Sequence, residues 1–242
     1  MRKIVIALPK EKRLIEKAYG LFQRAGYSSG GLAREIEQRE MKQLEFQSDN
    51  QTAVFLLVRS ADIPRYVDKN WADIGISASD CYREYELSSV NATNATTSMR
   101  GDNFASDALP DLRLCENARF CVAGRPEKRA FYEKCRGNDE KILEVATQYP
   151  NITAKYFTAK NMIVDIIPIS GSAELMPNHG EVDVIFDIVE TGRALEKNGL
   201  TIFEEAMPIQ TKFLVSRAAL KYDENVARMV EVFRNAIEQK SA

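Results

Sequence analysis

The residues with the clearest chemical potential lie in one run, Val182-Asp183-Val184-Ile185-Phe186-Asp187-Ile188-Val189-Glu190-Thr191-Gly192-Arg193-Ala194-Leu195. An apolar strand pattern ends at Asp187, a second acid follows at Glu190, and Thr191-Gly192 opens a helical pattern. Backbone N–H groups in the first turn of a helix have no intrahelical acceptor, and the aligned peptide dipoles favour an anion there. The spacing therefore predicts a phosphate seat just past Asp187, with Gly192 letting the backbone come close. Asp187 and Glu190 would repel phosphate but accept hydrogen bonds from sugar hydroxyls. Phosphate on amides and hydroxyls on carboxylates is what a phosphoribosyl group requires. The same spacing also fits a plain strand-to-helix turn whose acids cap the helix, and spacing alone leaves both readings open.

No other run competes for the phosphate: the chain has neither a G-x-x-x-x-G-K-[ST] loop nor a G-x-G-x-x-G turn. The four cysteines, Cys81, Cys115, Cys121 and Cys135, show no C-x-x-C spacing, and the single His179 cannot complete a zinc cluster or a Ser-His-Asp set. No metal-ligating residues are therefore expected in the chain itself. Lys+Arg 33 against Asp+Glu 35 gives a net charge of -2, which offers no global field for nucleic acid. The N-terminal apolar run stops at Pro9, too short for a secretory or membrane segment, so a cytoplasmic protein with reduced thiols is expected.

The elements that must position these residues follow from hydrophobic period. Lys3 to Leu8, Ala53 to Val58 and Asp73 to Ser77 read as strands. Leu14, Ala18, Leu21, Phe22 and Ala25 recur at helical spacing, and Asp62 with Pro64 starts a helix through Val67. Residues 91–110 carry no apolar period and read as a long loop at a domain boundary. A second alternation follows. Arg119 to Ala123, Ile142 to Ala146, Met162 to Ile169 and Val182 to Phe186 read as strands, with a helix expected over Ser172 to Asn178. Ile202 to Ala206 and Lys212 to Val215 add late strands, and Val226, Met229, Val230, Phe233 and Ile237 form one face of a closing helix capped by Asp223. Alternating strands and helices predict an α/β fold of mostly parallel sheets with helices on both faces. Its two lobes are expected at residues 1–112 with 208–242, and at 113–207, with a ligand cleft between them.

Several collinear stretches together resemble the ATP phosphoribosyltransferase family. They are Ile6-Ala7-Leu8-Pro9-Lys10 with Arg13-Leu14, Val58-Arg59-Ser60-Ala61-Asp62-Ile63-Pro64, Ala72-Asp73-Ile74-Gly75-Ile76, Ala146-Thr147-Gln148-Tyr149-Pro150-Asn151, Ser170-Gly171-Ser172-Ala173-Glu174-Leu175, Asp187 to Gly192, and Asn198-Gly199-Leu200. The resemblance implies a two-lobed fold of the periplasmic-binding-protein type. It also implies a reaction in which adenine N1 of ATP attacks the anomeric carbon of phosphoribosyl pyrophosphate, releasing pyrophosphate in the first step of histidine biosynthesis. By resemblance, Glu190, Thr191, Gly192, Arg193, Ala194 and Leu195 hold the 5-phosphate and Asp187 lies near the ribose. Gly171, Ser172, Glu174, Gly75 and Ser77 join the substrate-binding set, and Lys10, Arg13 and Arg59 face the pyrophosphate and ATP phosphates. Magnesium is expected to arrive bound to substrate.

The chain resembles the short, catalytic-core form. That form implies a homodimer, and a hetero-oligomer with a regulatory subunit related to histidyl-tRNA synthetase. Some positions depart from the family. Glu11-Lys12 stands where a glycine usually precedes Arg13, Ser77-Ala78-Ser79-Asp80 replaces a Thr-Gly turn, Ala194 replaces a hydroxyl residue, and Lys42-Gln43 stands near a usual arginine. Two alternatives are a solute-binding module of the same fold and a catalytically weakened relative acting as a subunit.

Overall fold

The structure is a computed structural model that describes residues 2–88, 103–106, 112, 114, 117–136, 141–180 and 182–238, without the side chains of 12, 13, 179 and 236–238. Most of the predicted 91–110 loop therefore lies outside the described residues. The chain divides into two units, Met1–Leu114 with Gln210–Ala242, and Cys115–Ile209.

In the first unit, β1 (Ile4–Pro9), α1 (Lys12–Arg24), α2 (Gly30–Gln38), β2 (Glu45–Gln47), β3 (Ala53–Val58), α3 (Ile63–Asp68), β4 (Ile74–Ala78), α4 (Ser79–Leu87) and β5 (Phe104–Ala105) follow in order. In the second come β6 (Arg119–Gly124), α5 (Arg129–Cys135), β7 (Ile142–Thr147), α6 (Pro150–Thr158), β8 (Ile163–Pro168), β9 (Val184–Val189), α7 (Arg193–Lys197) and β10 (Thr201–Pro208). The chain then returns to the first unit with β11 (Thr211–Ser216), α8 (Arg217–Tyr222) and α9 (Glu224–Glu238).

The first sheet runs β2-β3-β1-β4-β11-β5, with β3, β1 and β4 parallel and the outer pairings antiparallel. On one face Ile4, Ile6, Leu8 and Phe55 bury against Ile15, Ala18, Tyr19 and Phe22 of α1 and Val226, Met229 and Phe233 of α9. The other face packs Ala7 and Leu214 against Ile63 and Val67 of α3 and Tyr82 and Tyr85 of α4. The expected cap of α9 is present, since Asp223 accepts the Asn225 amide at 3.0 Å.

The second sheet runs β10-β6-β9-β7-β8. Its β9–β7 and β7–β8 pairs are parallel and its β10–β6 and β6–β9 pairs antiparallel. Both sheets are thus mixed, with fewer parallel pairs than the alternation predicts, because β2 and β11 in the first sheet and β6 in the second run opposite to their neighbours. The faces of the second sheet differ in side-chain size. One stacks Phe120 on Phe186, ring centroids 5.0 Å apart, against Phe157 of α6. The other presents Cys121, Ala123, Ala146 and Ile185. At the aromatic side, Glu204 accepts the Tyr132 and Tyr156 hydroxyls at 2.6 and 2.8 Å and also pairs with Lys160. Burial alone would raise the Glu204 pKa, but the hydrogen bonds from Lys160, Tyr132 and Tyr156 outweigh it and hold the carboxyl at about 2.

Two sequence expectations shift. The strand expected to end at Phe186 continues to Val189, because the β6 ladder pairs Cys121 with Asp187 and Arg119 with Val189. Asp187 is therefore a strand residue, not the first residue past one. The helix expected over Ser172 to Asn178 is a 3-10 segment, Ala173–His179, opened by Ser172 in the left-handed region and carrying Pro177, which has no N–H to donate.

Candidate functional site

The predicted seat begins where β9 ends. Gly192 adopts φ 76°, the left-handed conformation that costs glycine least, and turns the chain into α7. Glu196 is the first amide to bond back, to Gly192 O at 3.0 Å, so the amides of Arg193, Ala194 and Leu195 precede the first bond of the helix. Leu195 is buried and anchors the turn, while Glu190, Thr191, Arg193 and Ala194 are exposed.

A pocket of about 290 Å³ opens over this turn. Its polar wall is Asp187, Glu190, Thr191, Gly192 and Glu174, with Ala194 and Leu195 beside them. Its floor is the small-residue face of the sheet, Cys121, Ala123 and Ile185. The volume is at the lower end of small-ligand sites. Asp187 is held from two sides, since it accepts its neighbour's Ile188 amide at 2.7 Å and the Gln148 side-chain amide at 3.4 Å. The Cys121 thiol in the floor is pushed up to about 11, chiefly by burial, with Arg119 pulling the other way. It stays a protonated, apolar surface at neutral pH.

The pocket thus brings together Asp187, Glu190, Thr191, Gly192, Ala194, Leu195 and Glu174 of the residues the sequence suggested. Arg193 is exposed on the same turn but outside the pocket wall, and Gly171 and Ser172 are exposed just ahead of Glu174. The remaining candidates belong to the first unit. Gly75 is interior to β4: a Cβ there would meet Ile63 Cγ2 at 2.6 Å and Val67 Cγ2 at 3.0 Å, so its smallness serves the packing of α3. Ser77 is buried and its hydroxyl donates to Ala78 O at 3.2 Å.

Lys10 and Arg59 are exposed just past the C-terminal ends of the parallel strands β1 and β3, where Pro9 is in register with Val58. Ligands of open α/β sheets collect at such strand ends. Arg13 lies in the first turn of α1, and its side chain lies outside the described residues. Between these cations, Glu11 accepts the Ser60 amide at 3.2 Å and the Ser60 hydroxyl at 2.7 Å.

Sequence reasoning missed Cys121, Ala123 and Gln148 as site residues. The alternation of β6 marks Cys121 and Ala123 as one face, but only the pairing with β9 shows that this face lies under Asp187. Among the described residues no group of three or more His, Cys, Asp or Glu could hold a metal ion, and no helix is long and apolar enough to cross a membrane.

The sequence profile of ATP phosphoribosyltransferase matches residues 59–238. A relative from Bacillus cytotoxicus named ATP phosphoribosyltransferase is 35% identical over 222 residues, covering 91% of this chain and 90% of its own. Among solved structures, a chain of the ATP phosphoribosyl transferase (HisG:HisZ) complex from Thermotoga maritima superposes with a TM-score of 0.68 at 28% identity, over 98% of this chain and 99% of that one. A histidine kinase sensor domain with similarity to periplasmic binding proteins, 13% identical with a TM-score of 0.52 over 99% of this chain and 91% of its own, shares the fold alone. These matches lead to one conclusion: the chain belongs to the ATP phosphoribosyltransferase family.

Proposed function

We propose that this chain condenses ATP with 5-phosphoribosyl 1-pyrophosphate to give N1-(5-phosphoribosyl)-ATP and pyrophosphate, the first step of histidine biosynthesis. The observation that carries the reading is the pocket over the β9–α7 turn, which sets amides and carboxylates side by side. The amides at Thr191 to Leu195 hold the 5-phosphate, and Asp187 and Glu190 accept the ribose hydroxyls, which leaves the anomeric carbon fixed for attack. The apolar floor of Cys121, Ala123 and Ile185 keeps water from the sugar face.

Adenine N1 is itself the nucleophile, so the chain need supply neither a covalent nucleophile nor a histidine base. What it must supply is positioning and charge. Lys10, Arg13 and Arg59 are the cations assigned to the pyrophosphate and the ATP phosphates, and a guanidinium can meet a phosphate with two parallel hydrogen bonds. Magnesium enters as part of the substrate, coordinated mainly by diphosphate oxygens and water, because it sheds its hydration reluctantly and takes few protein ligands. The hard carboxylate oxygens of Asp187 and Glu190 suit such an ion, and the described residues form no cluster of three ligands that would hold it unaided.

Its likeness to a chain of the HisG:HisZ complex supports assembly with a separate second subunit, and the family resemblance assigns the chain a homodimeric core and makes that subunit a regulatory one related to histidyl-tRNA synthetase. The cytoplasm is its assigned compartment. Purified chain, with and without that subunit, should release pyrophosphate from ATP plus phosphoribosyl pyrophosphate in the presence of magnesium. No release in either preparation would overturn the reading. Inhibition of the isolated chain by histidine would overturn the separate-subunit assignment.

A further inference from the structure

We infer that Glu11 is a positioning residue for Arg59: its carboxylate holds the peptide that follows Arg59 and so fixes the direction in which that side chain leaves the backbone. The inference rests on the assignment of Arg59 to the pyrophosphate made above.

Arg59 stands one residue past β3. The peptide before it is held because Val58 O accepts the Lys10 amide at 2.9 Å, which extends the β1–β3 ladder by one bond. The peptide after it is held at both ends. Arg59 O accepts the Asp62 amide at 2.8 Å, and the Ser60 amide donates to Glu11 Oε1 at 3.2 Å. The Ser60 hydroxyl adds a further bond, to Glu11 Oε2 at 2.7 Å. A residue has two soft backbone angles, and they are set by the peptide planes on either side of it. With both planes tied, Arg59 is kept at φ -63°, ψ 138°, and its Cα–Cβ bond has one direction. An arginine side chain gives up much rotamer freedom when it meets a phosphate, and a fixed root leaves less to be given up in the transition state.

Glu11 is itself anchored at the other end. It occupies the N-cap of α1, where its carbonyl accepts the Leu14 and Ile15 amides at 2.9 and 3.0 Å. The tie therefore joins the start of α1 to the β3 loop across 49 positions of sequence. A carboxylate repels phosphate, so Glu11 acts through Ser60 and Arg59 and not as a ligand. It also lies within Glu11-Lys12, where the family usually carries a glycine. A glycine has no side chain to reach Ser60, so the tie is a feature of this sequence and not of the usual family loop.

The test is a double-mutant cycle of Glu11→Ala and Arg59→Ala, read as kcat/KM for pyrophosphate release with and without the regulatory subunit. Glu11→Ala should lower kcat/KM about tenfold in the otherwise wild-type chain, since a displaced group can cost up to about a hundredfold. In the Arg59→Ala background the same change should cost less than about twofold, because no guanidinium remains to be aimed. Affinity for ribose 5-phosphate, which carries no pyrophosphate, should not move in calorimetry. Glu11→Gln keeps an acceptor for the Ser60 amide and a donor for its hydroxyl, and should stay within about twofold of wild type. If Glu11→Ala does not fold, Ser60→Ala, which removes the shorter bond, takes its place in the cycle with about a threefold loss expected. Equal losses in both backgrounds, or no loss from Glu11→Ala beside an impaired Arg59→Ala, overturn the inference alone. An Arg59→Ala chain with the wild-type rate removes the assignment of Arg59 and this inference with it. A wild-type chain that releases no pyrophosphate removes the proposed function as well.

Discussion

The turn after β9 and the turn after β3 both deliver a strand into a helical segment, yet they end in opposite states. After β9, Gly192 in the left-handed region opens α7 and the leading amides border a pocket. After β3, Arg59 in extended conformation leads into a 3-10 turn, Ser60–Asp62, and Glu11 places a carboxylate on Ser60 through the amide and the hydroxyl. Both turns expose N–H groups that attract an anion. In the second unit the amides of Arg193, Ala194 and Leu195 precede the first helical bond beside the pocket, and in the first the chain satisfies part of that attraction with its own side chain. An anion seat is thus defined by the turn and, equally, by whether a carboxylate from elsewhere in the chain reaches it. The Glu11-Lys12 departure from the usual glycine gains a physical meaning at Glu11, whose carboxylate couples the β1 and β3 loops from which Lys10 and Arg59 project.

The contrast can be broken most severely at Arg59. Arg59→Ala should cut kcat/KM about a hundredfold, roughly 3 kcal/mol of transition-state stabilisation, with little change in thermal midpoint because the side chain is exposed. Steady-state kinetics decide it, and an unchanged rate would make Arg59 a solvated surface charge. The next effect is expected at the open turn. A Cβ on residue 192 meets nothing within 4 Å, so Gly192→Ala introduces only the strain of φ 76°. That strain is about 1–2 kcal/mol, and phosphoribosyl pyrophosphate should bind about tenfold more weakly by calorimetry. Binding that survives intact would move the phosphate seat elsewhere.

Opening the closed turn is a smaller perturbation. Glu11→Gly removes two hydrogen bonds from Ser60 and should cost about 1 kcal/mol, visible as a fall of roughly 2–4 °C in the melting temperature. A midpoint that stays put would mean the carboxylate contributes nothing and the two turns do not differ in the way argued. The smallest effect is a gain. Ala194→Thr adds a hydroxyl in the pocket wall and should tighten phosphoribosyl pyrophosphate by about 0.5–1 kcal/mol, a few-fold in Kd. Weaker binding would show that the threonine crowds the seat.

Much of this was legible in the chain. Lys3 to Leu8 and Ala53 to Val58 carry the apolar runs of buried strands and form β1 and β3. The turn at Glu190-Thr191-Gly192 was legible as a turn because its signal is local: a glycine free to take positive φ sits between an apolar strand pattern and a helical one. Helix α2 and strands β2 and β5 were not legible, since Glu45–Gln47 and Phe104–Ala105 are too short to show a period. Gly75 was read as a ligand contact, yet its missing side chain makes room for Ile63 and Val67. A glycine in a strand looks the same in sequence whether a ligand or a helix comes close.

By itself, then, the sequence determined the alternation of elements and the polarity of the turn beyond Asp187, because hydrophobic period and amide exposure are set by near neighbours. Only the tertiary structure decided that Cys121 lies beneath Asp187 and that Glu11 closes the turn at Ser60 across 49 positions. Those are questions of which donor meets which acceptor. A side chain's type says that it needs a partner, while strand register and loop closure choose the partner.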